Sequence, residues 1–173
     1  ARPMFYEDPV RPDNFDDMQR VASEIHIPIA TGERLHTLEE FGMLLARNAC
    51  QYIRPDVCLC GGITQAKKIA AAAEARGVLV VPHNPLSPVS TAACIQLAAS
   101  IPNFAIQEYP LGEDCAPKNE IVKSTLTLDN GYLTVPDSPG IGIELNEQAM
   151  HQYPYKPRLY VTKLREDGSV VDQ

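Results

Sequence analysis

Five times within the first 110 residues a short apolar run ends in an ionisable side chain, and the intervals hardly vary. The side chains are Glu7, Glu33, Asp56, His83 and Glu108, separated by 26, 23, 27 and 25 residues. A strand, a helix and two short connections use about this much chain, so the sequence reads as a repeated strand–helix unit. The strand runs fall at residues 3–6, 27–30, 52–58, 78–81 and 104–106. Four helical patterns separate them. After Asp13, the residues Phe15, Met18, Ala22 and Ile25 mark one buried face. Thr37 with Glu40 forms a capping-box pattern ahead of Leu38, Phe41 and Leu45. Thr64 precedes an Ala-rich helix carrying Ile69 and Ala73, with Gly77 placed to stop it. Ser87 and Pro88 fit the N-cap and first position of a helix through Ala92, Ile95 and Ala99 that ends before Pro102.

Strands alternating with helices pair in parallel through right-handed crossovers. Their C-terminal ends then open on one side, the side that carries the active site in α/β barrels. Five ionisable groups would converge on one mouth. Solvated loop residues are the ordinary alternative, since acidic residues often sit in the turn before a helix. Five matching offsets disfavour it, because a charge beside a buried strand end is costly without a partner or a metal.

Composition narrows the function. The 173 residues carry 22 Asp+Glu against 15 Lys+Arg, a formal net charge of -7, with no Lys/Arg run. Nucleic acid and anionic membranes are therefore not expected partners. No apolar stretch approaches the roughly 18 residues of a membrane span, and residues 1–8 carry charge where a signal peptide is apolar, so the chain reads as cytoplasmic. Five cysteines, an odd number without C-x-x-C or Cys/His spacing, argue against a disulfide framework or zinc site. Cys58 and Cys60 read as alternate strand positions, and His26, His36 and His151 as surface or packing residues.

Chemistry follows from residue type. Glu7 and Glu33 are hard oxygen ligands on neighbouring strand ends, suited to Mg²⁺, though two carboxylates do not make a complete set. His83 fits a proton acceptor or donor, with Asp56 holding its tautomer. Glu108 would accept a hydrogen bond from a substrate oxygen or, if protonated, donate one. Arg34 and Asn84 are substrate-contact candidates by adjacency. Beyond residue 110 the periodicity changes: a strand-like alternation at 121–128, an Asn130-Gly131 turn, a return strand at 132–135, a Pro/Gly-rich connection at 136–142 and a short segment at 146–151. This half reads as a hairpin and packing arm.

The runs Phe5-Tyr6-Glu7-Asp8-Pro9, Ala30-Thr31-Gly32-Glu33-Arg34, Arg54-Pro55-Asp56, Gly61-Gly62-Ile63-Thr64, Pro82-His83-Asn84-Pro85 and Ile106-Gln107-Glu108-Tyr109 give the chain a family likeness. In this order and spacing it resembles the mandelate racemase and muconate lactonizing branch of the enolase superfamily. The likeness is strongest to its sugar-acid dehydratases of galactonate dehydratase type, and residues 139–145 are similar to that family's C-terminal segment.

The resemblance implies an α/β fold, the C-terminal part of a (β/α) TIM-type barrel covering about strands four to eight, plus a C-terminal hairpin and packing arm. Residues 1–117 would form the barrel part and 118–173 the extension that packs on barrel or capping domain. It implies that Glu7 and Glu33 are Mg²⁺ ligands, Asp56 and His83 the dyad, and Glu108 the acid on strand eight. The implied activity is a Mg²⁺-dependent dehydration of a galactonate-like aldonate. The metal holds the carboxylate, His83 takes the α-proton, and loss of the 3-hydroxyl gives a 2-keto-3-deoxy acid. A small-molecule sugar acid is the implied partner and a homo-oligomer the implied state. The family's capping domain, earlier strands, first metal ligand and second acid/base group have no counterpart here. A full barrel needs about 250 residues, so the chain reads as incomplete and inactive on its own. Racemisation, epimerisation or cycloisomerisation on the same site is the alternative reaction, and a non-catalytic fragment the alternative outside enzymology.

Overall fold

The computed structural model describes residues 2–157 and 162–171. The strand–helix alternation runs β1 (Tyr6–Glu7), α1 (Phe15–Glu24), β2 (Ile29–Thr31), α2 (Leu38–Ala46), β3 (Tyr52–Ile53), α3 (Gly62–Glu74), β4 (Leu79–Val80) and α4 (Pro88–Ala99). The strands form one sheet in the order β1-β2-β3-β4, every pair parallel. Phe104 extends it by a single parallel bridge to Val80, fastened by Ala105 N–H donating to Val80 O at 2.9 Å.

The helices start where side chains can satisfy their first amides. Asn14, Thr37 and Ser87 each accept from the backbone N–H three residues on, and Glu40 returns the Thr37 bond, closing the capping box. α3 begins two residues before Thr64, after Gly61 at φ +98°, and the chain leaves it through Gly77 at φ +68°.

Every strand is shorter than its apolar run suggests, β3 most of all. The run at 52–58 forms a continuous strand only over β3, with one further parallel bridge from Asp56 to His83, because Pro55 has no N–H to donate and the residues after Asp56 turn, with Cys60 N–H donating to Asp56 O at 2.8 Å. Cys58 and Cys60 therefore sit in a turn, the first exposed and the second buried, not at alternate strand positions. All five cysteines are free, and burial pushes the Cys50 and Cys94 thiols up to about 12 and Cys60 to about 11.

Register assigns the two faces of the sheet. Ile29, Ile53 and Val80 point at the helices and join Met18, Phe41, Leu44, Ile69 and Leu97 in one core. Each such side chain contributes about 1.5–3 kcal/mol by leaving water. The opposite face carries Glu7, Ala30, Tyr52 and Leu79, linked row by row through the parallel pairs.

The second half is sparser. The alternation at 121–128 forms no long strand: a 3-10 turn covers Lys118–Ile121, Val122 makes one antiparallel bridge to Leu145, and β5 is only Leu128–Asp129. With one bridging partner the alternation cannot extend into a ladder. Asn130-Gly131 does turn the chain, at φ +48° and +84°, into antiparallel β6 (Tyr132–Leu133). α5 (Ala149–Gln152) lies in the short segment read at 146–151. Residues 158–161 and 172–173 of the anticipated extension lie outside the described residues. No described helix is long and apolar enough to cross a membrane.

Candidate active site

Parallel pairing brings the strand ends to one rim, and backbone geometry turns the functional side chains into it. Gly32 sits at φ +132°, and a Cβ there would come 2.8 Å from a Phe41 ring carbon and 3.1 Å from the Arg54 nitrogen. Only glycine lets the chain pass this close to β3 before presenting Glu33. On the neighbouring strand ends, Asp56 and His83 form a parallel bridge of their own.

The two side chains meet at 3.0 Å, His83 Nδ1 to Asp56 Oδ2. Asp56 is fully buried, and its other oxygen accepts from the Cys58 N–H at 2.7 Å. Held this way, the carboxylate favours the tautomer with hydrogen on Nδ1, leaving the Nε2 lone pair free. Nε2 lies 3.3 Å from Glu33 Oε2. Two acceptors at that distance need a proton between them or a competing partner for the carboxylate.

On the other side of the rim, Arg54 is nearly buried, with 7% of its side chain exposed. Its Nη1 donates to Glu7 Oε2 at 2.7 Å and its Nη2 to Glu108 Oε2. The Asn84 N–H also donates to Glu108 Oε2, at 2.8 Å. Asn84 is fully buried, and its amide donates to Thr91 Oγ1 at 2.7 Å and to the Glu108 carbonyl at 3.0 Å. Thr91 in turn donates to Glu113, a fully buried glutamate, at 2.6 Å. Burial pushes the Glu113 carboxyl above its ordinary value.

Burial also raises the Glu7 carboxyl; Arg54 opposes this, and Glu33, Asp8 and Glu108 add to it. Glu7 Oε1 is buried without a hydrogen-bond partner, as is Asp8 Oδ1. An orphaned carboxylate oxygen facing further carboxylates suits a hard divalent cation. Glu7 and Glu33 fit Mg²⁺ on that ground as part of a set, because no group of three or more metal-capable side chains occurs among the described residues.

Arg34 is half exposed, its Nε 3.8 Å from Glu33 Oε1. It lines a cavity of about 710 Å³ with Asp8, Val10, Phe15 and Leu35, beside the carboxylates rather than over His83. The sequence-derived residues thus gather at one rim, except that Asn84 lies beneath it and its amide hydrogens point inward.

Arg54, Asp8, Thr91 and Glu113 were not singled out from sequence. Arg54 and Asp56 stand two apart after Tyr52, on the face away from the helices, and that alternation was a usable signal. Glu113 offered none, since Leu111-Gly112-Glu113-Asp114 reads as a solvated loop.

The sequence model of the family described as enolase C-terminal domain-like matches residues 1–149. The chain belongs to that family. Its α/β fold is therefore an arc of the enolase-superfamily C-terminal barrel. The D-galactonate dehydratase of Verminephrobacter eiseniae is 35% identical over 151 residues, 84% of this chain and 40% of that protein. The D-galactonate dehydratase of Pectobacterium atrosepticum is 36% identical over 152 residues, 85% of this chain and 40% of that protein. The family member described here spans about 40% of the length of these curated relatives. Among solved structures, an enolase from Agrobacterium radiobacter provisionally assigned as a galactarate dehydratase, with sodium and L-malate bound, superposes with a TM-score of 0.86 at 36% identity. That match covers 97% of this chain and 46% of the other. A mandelate racemase/muconate lactonizing enzyme-like protein from Roseovarius sp. TM1035 gives 0.84 at 38% identity, covering 90% and 39%.

Proposed function

We propose that these residues supply the C-terminal part of the active site of a Mg²⁺-dependent sugar-acid dehydratase acting on a galactonate-like aldonate. The observation that carries the reading is the His83–Asp56 pair at 3.0 Å, with Nε2 turned toward Glu33 at 3.3 Å on the rim where Glu7 Oε1 is buried without a hydrogen-bond partner. The dehydratase relatives, and a structural relative holding a cation and a hydroxy diacid, support the same chemistry.

Glu7 and Glu33 would hold Mg²⁺, which when bound supplies positive charge for the substrate carboxylate and for the negative charge that develops beside it. A proton next to a carboxylate is far too weakly acidic for an imidazole without that charge. His83 Nε2 takes the C2 proton, and Asp56 holds Nδ1–H and steadies the imidazolium that results. The C3–O bond then breaks, the hydroxyl leaves as water with a proton from a general acid, and the enol product rearranges to a 2-keto-3-deoxy acid. Glu108, its Oε2 filled by Arg54 and Asn84, has one oxygen left for a substrate hydroxyl. Arg34 faces open space and is the substrate contact of the two candidates; Asn84 holds Glu108 in place.

The test is turnover of a panel of aldonic and aldaric acids with Mg²⁺ by the full-length polypeptide carrying these residues, alongside its His83→Asn variant. The expected result is a 2-keto-3-deoxy product that requires Mg²⁺ and falls by at least about 100-fold in the variant. Exchange of the α-proton with solvent deuterium, without product, moves the reaction to racemisation or epimerisation. No Mg²⁺ binding and no product refutes the catalytic reading.

A further inference from the structure

Arg54 is a buried guanidinium whose terminal nitrogens go to two different carboxylates from opposite ends of the arc. Nη1 reaches Glu7 on β1, and Nη2 reaches Glu108 beyond the last bridged segment. A planar, rigid guanidinium can span two acceptors with directed bonds, which the point charge of a lysine cannot do. The backbone fixes where the span begins. The Arg54 N–H donates to Thr31 O at 2.9 Å, and the chain of β2 passes so close at Gly32 that nothing larger fits between them.

The consequence falls on the carboxylates. Glu7 has one oxygen taken by Arg54, while Oε1 is buried without a partner. Glu108 has one oxygen taken twice, by Arg54 and by the Asn84 N–H. We propose that Arg54 is the positioning residue of the site: it makes Glu7 present a single oxygen to the cation and fixes Glu108 as the opposite wall. The inference deepens the dehydratase reading and rests on it for its kinetic test, but the bridge itself has an independent readout. Direct capture of the substrate carboxylate by Arg54 is disfavoured, because Nη1 and Nη2 each already donate to a carboxylate and the side chain is 7% exposed.

The experiment uses the full-length polypeptide with Arg54→Met, Arg54→Lys and Arg54→Ala. Both Met and Lys should lower kcat by about 10- to 100-fold with KM little changed, and the loss should persist at saturating Mg²⁺. Calorimetric titration with MgCl₂ alone should still show binding, and free guanidinium ion should recover part of the turnover of Arg54→Ala. Wild-type kcat in the Lys variant, a loss confined to KM, or a loss abolished by excess Mg²⁺ would each overturn the role. The bridge is read separately from nitrogen spectra of the unsubstituted protein labelled at arginine. Restricted rotation should resolve Nη1 from Nη2 of Arg54, and Glu108→Gln should average them. One averaged resonance in the unsubstituted protein refutes the bridge whatever its activity; resolved resonances without Mg²⁺ binding or product refute the dehydratase reading alone.

Discussion

The imidazole of His83 has its two nitrogens assigned by neighbours on two different strand ends, Asp56 at Nδ1 and Glu33 near Nε2. In Asp56→Asn an amide can donate to Nδ1 and force hydrogen onto Nε2, the wrong tautomer for a base. The expected result is a kcat lower by about 100- to 10,000-fold with KM nearly unchanged, read from steady-state kinetics of the full-length protein. Glu113 gives a different residue-level expectation. Burial holds its folded carboxyl above the ordinary value, so the stability it contributes is fully present below the unfolded pKa and lost as pH rises through the folded one. The melting temperature of Glu113→Gln relative to the unsubstituted protein should therefore climb between pH 4 and pH 8, by about 2–4 °C for each kcal/mol. A flat difference would place an unshifted carboxyl there. The candidates that gather at the rim could be picked out because each ended an apolar run, and Arg54 could be read from its alternation with Tyr52 and Asp56, whereas Glu113 owes its significance to burial, which no local pattern revealed.

At the scale of elements, the helices were readable and the strands were not fully so. Capping signals act within four residues, so Thr37 and Ser87 announced α2 and α4 correctly. Strand ends depend on partners tens of residues away and on interruptions such as Pro55, so apolar runs overstated β3 and the alternation at 121–128. The connection between β2 and α2 carries a steric demand that bears on the site. Gly32→Ala would drive a methyl group toward the Phe41 ring and the Arg54 backbone at a φ that alanine rarely adopts. It should cost about 1–3 kcal/mol in denaturant unfolding and displace Glu33, weakening Mg²⁺ binding in calorimetry. Unchanged stability and binding would mean that β2 and β3 can separate there without consequence.

Across the whole molecule, one face of the sheet is covered by helices and the other carries Tyr52, Leu79 and the carboxylate rim. Among the described residues β1 is an open edge, and Met4, Tyr6, Leu79 and Ile106 are 48%, 52%, 36% and 49% exposed. Taken alone, these 173 residues should associate with rising concentration and bind a hydrophobic dye, as sedimentation and fluorescence would show. A monodisperse, dye-silent chain would refute this. The Arg54 bridge has a further consequence, for folding. Its partners lie 47 residues before it and 54 after it, so no early hairpin or single strand–helix unit can neutralise its charge. An intermediate that packed the first three units without the last segment would hold the guanidinium half paired, a costly state that disfavours stopping there. The site would then act as a latch, joining the ends of the arc and making its assembly more nearly all-or-none.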